Sequence, residues 1–193
     1  AHLRRIQRQT VTIDNSAPGP TPRLVVDAAG GVHVLYHDTF FDDLVYAYRP
    51  PGGAFTNTTV DNNAPGPEPM LVVDASLRVH ILYHDTFFND VDYATKPAGG
   101  VFTTVTVDNN APGAGLTMAI DAAGGVHAAY RDTFFNDTDY AYKPAGGVFT
   151  QTTISSTSSG DRPQLAVDAL GAVHVVFEDA ALTNLVYAYK PAG

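Results

Sequence analysis

The chain has 193 residues, 45% hydrophobic and 16% charged, with 17 Gly, 13 Pro and no Cys: a one-domain length, able to bury a core and too apolar for disorder. Without Cys there is no disulfide framework and no Cys-ligated zinc or iron–sulfur centre. A net charge of −9 argues against a nucleic-acid partner gripped through phosphate, and no apolar run approaches the ~20 residues of a membrane span.

In chain order, Ala1 to Gln9 carries Arg4, Arg5 and Arg8 without the apolar stretch of an intact secretory signal. Gln7 to Ile13 reads as a strand, and Asp14-Asn15-Ser16-Ala17-Pro18-Gly19 as a connection. Leu24 to Val26 is a short apolar strand. Asp27-Ala28-Ala29-Gly30-Gly31 is a tight turn, where Asp caps a backbone N–H and Gly accepts a positive φ. Val32 to Tyr36 is a second strand, followed by a polar loop, Thr39 to Asp43, with two Phe. Leu44 to Tyr48 is a third strand, Pro50 to Gly53 turns the chain, and the Thr-rich run Phe55 to Val60 is a fourth. Asp61 to Pro69 leads into the next copy.

This unit repeats every 47 residues. His33, His80, His127 and His174 keep the step, as do Tyr46, Tyr93, Tyr140 and Tyr187, and Asp27, Asp74, Asp121 and Asp168. Four short antiparallel strands per repeat of 40–50 residues is the signature of a propeller blade. The expected fold is all-β, a four-bladed β-propeller forming a single domain over 1–193. Its blades fall at about 14–60, 61–107, 108–154 and 155–193. The last copy stops after its third strand, and residues 7–13 align with the missing fourth, so the N-terminal strand is expected to close the ring. One closed ring, or two chains sharing an eight-bladed ring, satisfies the same strand arithmetic.

The run Leu24-Val25-Val26-Asp27-Ala28-Ala29-Gly30-Gly31-Val32-His33-Val34-Leu35-Tyr36-His37-Asp38, followed by Leu44 to Tyr48, resembles bacterial β-propeller repeats of the pattern L-x-L-D-x-x-G-x-x-H-x-x-Y-x-D with L-x-Y-A beyond. The resemblance covers the whole chain and implies the fold more than a function. Hemopexin-type rings share the blade number only. That family commonly carries channel ions and a disulfide between first and last blades, and the disulfide cannot exist here.

The four repeated His cannot form one metal ring. Each lies on the second strand from the axis, so equivalent points stand more than ~10 Å apart, against zinc–nitrogen bonds of about 2.0–2.1 Å. They read instead as partly buried His, each bonded to backbone or to the turn of its own or the next blade. The turn aspartates read as caps. An ion in the axial channel, Ca²⁺ or another, held by backbone carbonyls would leave no sequence trace, so no cofactor is firmly indicated.

Candidate ligand-binding residues fall on the loop face. The second strand ends in His37-Asp38, His84-Asp85, Arg131-Asp132 and Glu178-Asp179, so the first of each pair varies in charge while the Asp stays. The loop beyond carries Phe40 and Phe41, Phe87 and Phe88, and Phe134 and Phe135; these rings could equally wedge between blades. The connections on the same face add Asn62, Asn63, Asn109 and Asn110. Flat apolar rings beside planar amides suit sugars, and up to three such sites suit multivalency.

No serine-hydrolase elbow, P-loop or dinucleotide fingerprint is present. The Arg residues fall on different parts of the unit, and a near-perfect repeat leaves little room for an active site, which breaks symmetry. The expectation is therefore a non-enzymatic recognition module, lectin-like or protein-binding, secreted or on the cell surface, with a glycan or protein surface as partner. The alternatives are a structural propeller, or a glycan-active hydrolase or lyase, with Arg131 and Glu178 marking an active blade junction.

Overall fold

The computed structural model describes residues 10–16, 18–19, 21–62, 65–66, 68–109, 113–156 and 162–192. Blade 1 comprises β1 (Arg23–Val26), β2 (Val32–Asp38), β3 (Asp43–Arg49) and β4 (Thr56–Asp61). Blade 2 comprises β5 (Met70–Val73), β6 (Val79–Asp85), β7 (Asp90–Lys96) and β8 (Thr103–Asp108). Blade 3 comprises β9 (Gly113–Ile120), β10 (Val126–Asp132), β11 (Asp137–Lys143) and β12 (Thr150–Ser155). Blade 4 comprises β13 (Gln164–Val167), β14 (Val173–Asp179) and β15 (Asn184–Lys190). Strands within each blade pair in sequence order, all antiparallel. The fold is all-β and four-bladed; among the described residues no helix is long and apolar enough to cross a membrane.

Local chemistry sets each blade. In the first turn, Asp27 Oδ1 accepts from the N–H groups of Ala29 and Gly31 at 2.8 Å each, and Gly30 takes φ +87°. The same carboxylate reaches His33 Nε2 at 2.9 Å, while His33 Nδ1 meets the Tyr46 hydroxyl at 2.7 Å. This Asp–His–Tyr relay recurs at Asp74–His80–Tyr93 and Asp121–His127–Tyr140. The repeated His are thus tied to the turn of their own blade. Burial lowers the His80 pKa despite Asp74 beside it, so its imidazole is held neutral.

The core lies between blades. Leu35, Leu44 and Tyr46 of blade 1 pack on Leu71, Ile81 and Tyr83 of blade 2. Leu82, Val91 and Tyr93 of blade 2 pack on Leu116, Met118 and Tyr130 of blade 3. Ala129 and Tyr140 of blade 3 pack on Val173, Val175 and Phe177 of blade 4. Burying side chains of this size contributes roughly 1.5–3 kcal/mol each.

The remaining junction differs. The closing strand expected over 7–13 falls partly on 7–9, outside the described residues. Residues 10–13 are described without strand, and β15 has no neighbour beyond β14 among the described residues. Accordingly Leu185 on β15 is 81% exposed, whereas its repeat counterpart Leu44 is fully buried. On blade 1, Leu24 and Val26 are exposed in turn.

Candidate functional site at the axial mouth

The first strands of all four blades surround the axis, and their N-terminal ends open on the loop face. Pro18 bridges Asp38 and Pro65 bridges Asp85, so the inter-blade connections lie against the ends of β2 and β6. Here a cavity of about 380 Å³ is lined by two rungs of repeat-equivalent residues. The outer rung is Thr21, Glu68, Gly115 and Arg162; the inner rung is Arg23, Met70, Thr117 and Gln164, with Leu116 beside them. Around this axis the fourfold repeat is lost, because no two blades present the same side chain within either rung.

Arg162 Nη2 donates to Glu68 Oε1 at 2.9 Å across the mouth, and Arg23 Nε donates to the Pro69 carbonyl at 2.8 Å. Arg162 sits at φ +67°, in the left-handed region, a conformation costing about 1–3 kcal/mol for a non-glycine residue. Gly115, at φ +61°, lies directly beneath it: a Cβ there would overlap the Arg162 backbone. A strained Arg admitted by a glycine, paired to the one carboxylate lining the cavity among the described residues, gives a charged and asymmetric mouth on a symmetric scaffold. Chemically it offers two guanidiniums for an anionic group, one carboxyl for proton transfer, and Thr117 and Gln164 as neutral hydrogen-bonding groups.

The residues singled out from sequence lie further out on the same face. Asp38, Asp85 and Asp132 are buried, and each caps its loop: Oδ1 accepts from the N–H groups of Phe40 and Phe41, of Phe87 and Phe88, and of Phe134 and Phe135, at 2.7–3.3 Å. The capped loops hold each Phe pair edge-to-face, with centroids 4.8–4.9 Å apart. All six rings are 59–73% exposed, so they are surface platforms and not wedges between blades. His37 bonds Asp42 Oδ1 at 2.8 Å, Arg131 bonds Asn136 Oδ1 at 2.7 Å, and His84 bonds Asn89. In blades 1 to 3 the charge-variable position therefore pairs with a residue five further on, Asp42, Asn89 or Asn136, which itself takes a positive φ. Asn62 and Asn109 are exposed; Asn63 and Asn110 lie outside the described residues.

Sequence reasoning missed the mouth. Arg23 and Arg162 were expected to fall apart, yet the first strands of blades 1 and 4 bring both to one cavity. The signal was the series Thr21, Glu68, Gly115, Arg162, in which charge varies at one repeat position, as it does at His37, His84, Arg131 and Glu178.

The chain matches no protein-family model and no curated protein. Among solved structures it is similar to an exo-β-1,3-galactanase from Phanerochaete chrysosporium with galactose. The TM-score is 0.52 and the identity 10%, over 88% of this chain and 44% of that chain. A variant of the same galactanase with β-1,3-galactotriose gives 0.54 and 10%, over 95% of this chain and 49% of that chain. This chain thus spans about half the length of those it matches, and at such identity the likeness shows the fold alone.

These findings correct the expectation of a non-enzymatic module. The matched fold carries a glycan-cleaving activity in the galactanase, and the symmetry break thought to be missing is present at the axial mouth. The signal is faint in the sequence because the outer-rung positions Thr21, Glu68 and Arg162 lie in the connections that precede the first strands.

Proposed function

We propose that this chain is a glycan-active enzyme that cleaves an acidic glycan at the axial mouth. The observation that carries the reading is the Glu68–Arg162 pair, joined by Arg23, in a cavity where the fourfold repeat breaks. In this reading the guanidiniums of Arg23 and Arg162 hold an anionic substituent through charge-assisted hydrogen bonds. Glu68 is the proton carrier at the scissile glycosidic oxygen, and the bond is split by water. The exposed Phe pairs extend the contact, offering apolar ring faces to sugar units beyond the cavity.

Elimination is the second reading, and the residue set favours it. Hydrolysis ordinarily uses two carboxyl groups, and one lines the cavity among the described residues. Elimination from a uronate needs cations on the sugar carboxylate, supplied by Arg23 and Arg162, a base for the proton beside it, supplied by the Glu68 carboxylate, and departure of the glycosidic oxygen, which takes its proton from Glu68 or water.

The test is digestion of uronate-containing and neutral glycans, with mass spectrometry of the products. Saturated products gained with water mark hydrolysis, and unsaturated products mark elimination. Arg23→Ala and Arg162→Ala should each weaken action on acidic glycans at least tenfold. Equal action of these variants and the unaltered chain on acidic glycans would remove the reading.

A further inference from the structure

Four repeat positions meet at the loop-face end of each blade junction. The first is Asp14, Asp61, Asp108 and Ser155 in the connection preceding blades 1 to 4; the second is Tyr36, Tyr83, Tyr130 and Phe177. The third is Asp38, Asp85, Asp132 and Asp179, ending the second strand of each blade. The fourth, the third residue of β3, β7, β11 and β15, is Val45, Asp92, Asp139 and Val186. Blades 2 and 3 therefore carry three carboxyl groups where blade 1 carries two and blade 4 one.

The backbone drives these groups together. The β3–β4 register shifts between Leu44 and Val45, leaving Val60 as an extra residue, and β7–β8 shifts at Val91/Asp92. Such a bulge bends its strand, and Asp61 meets the next blade, where the Tyr83 hydroxyl donates to Asp61 Oδ2 at 2.6 Å. Tyr130 donates likewise to Asp108 Oδ2 at 2.9 Å. One oxygen each of Asp61, Asp85 and Asp92 lie within 4.8 Å of one another, and so do those of Asp108, Asp132 and Asp139.

A second observation points to a ligand. Asp92 and Asp139 are each 8% exposed, and Oδ1 of each is buried without a hydrogen-bond partner. Burial, together with the negative charges of Asp85, Asp90 and Asp61, pushes the Asp92 carboxyl up to about 6, against the Thr106 hydrogen bond that lowers it. Buried carboxylates at such density call for a cation. Oxygens on one Ca²⁺ at 2.3–2.6 Å can stand up to about 5 Å apart, which matches the spread. With oxygen donors alone, a hard cation is favoured over zinc or copper.

Blade 1 is an internal control. Val45 replaces the third carboxylate there, and Ser16 Oγ stands 2.6 Å from Asp14 Oδ1 and 2.5 Å from Asp38 Oδ2, joining the remaining pair. We infer that the junction of blades 1 and 2 and the junction of blades 2 and 3 each bind one divalent cation of the Ca²⁺ class. Asp61, Asp85 and Asp92 hold the first, and Asp108, Asp132 and Asp139 the second.

Calorimetric titration of the chelator-stripped chain with CaCl₂ tests this, with thermal unfolding beside it. The expected result is two ions per chain and a Tm that rises with Ca²⁺. Asp92→Val and Asp139→Val, which copy blades 1 and 4, should each lower the count to one; together they should bind none and show no Tm response. Asp92→Asn and Asp139→Asn should give the same counts, should a valine variant fail to fold. No binding by the unaltered chain at millimolar Ca²⁺, or an unchanged count in a folded variant, overturns the inference.

Discussion

Blades 2 and 3 and blades 1 and 4 are built on the same strands, yet one repeat position holds Asp92 and Asp139 in the first pair and Val45 and Val186 in the second. The valines need nothing from their surroundings beyond contact. Asp92 and Asp139 are as enclosed as Val45 and leave an oxygen unpaired, so folding alone gives no reason for them. A repeat protein thus separates its scaffold from its chemistry by where the copies disagree. The axial mouth carries the same lesson, since Thr21, Glu68, Gly115 and Arg162 occupy one position with four different side chains.

The largest stability contrast falls between closed and open junctions. Leu44→Ala removes a fully buried side chain and should cost about 2–5 kcal/mol. Leu185→Ala, at the same repeat position but 81% exposed, should stay within about 0.5 kcal/mol. Denaturant unfolding of both variants reads the difference, and equal losses would mean that the face of β15 is covered in solution.

Next comes the pH response of the carboxylates. In chelator, the Asp92 carboxyl is raised from 3.8 to about 6 by burial and its acidic neighbours Asp85, Asp90 and Asp61, and Asp139 is raised also. A raised folded pKa means that the group's contribution is full below the unfolded value and is lost as pH climbs through the folded one. Stability should therefore fall between about pH 4 and 6, by on the order of 3 kcal/mol for Asp92 at about 1.4 kcal/mol per pKa unit. Asp92→Val should flatten that slope in chelator-treated denaturation curves.

A smaller effect is expected at the mouth. Arg162→Gly relieves the left-handed backbone and should raise stability by up to about 1 kcal/mol while weakening glycan cleavage, an exchange of stability for function. Smallest of all, Phe41→Ala, Phe88→Ala and Phe135→Ala should each change stability by less than about 0.5 kcal/mol, because these rings are exposed. Thermal unfolding reads both sets.

The strands apart from the closing one expected over 7–13, and the tight turns with their capping Asp, were legible in the sequence, because each rests on local chemistry repeated four times; that His33, His80 and His127 bond the turn of their own blade is what the structure adds. The exposure of the Phe pairs was not, since adjacent aromatics suit a surface loop or a blade interface alike. Nor was the mouth. Its residues are distant in sequence, Glu68 and Arg162 being 94 apart, and meet because blades 2 and 4 both face the axis. The triad of Asp61, Asp85 and Asp92 was hidden similarly: the sequence places its members in a connection, at the end of a second strand and within a third, and only a bulge brings the first against the others.

The measurement closest to the central claim is the rate of glycan cleavage by Glu68→Gln relative to the unaltered chain. The Arg162–Glu68 pair is exposed enough to contribute about 1 kcal/mol or less to stability, so the variant should fold unchanged by circular dichroism. The account predicts a loss of about 10²–10⁴-fold in rate. Full activity in Glu68→Gln, or an unaltered chain that cleaves no glycan of either charge class, would contradict it.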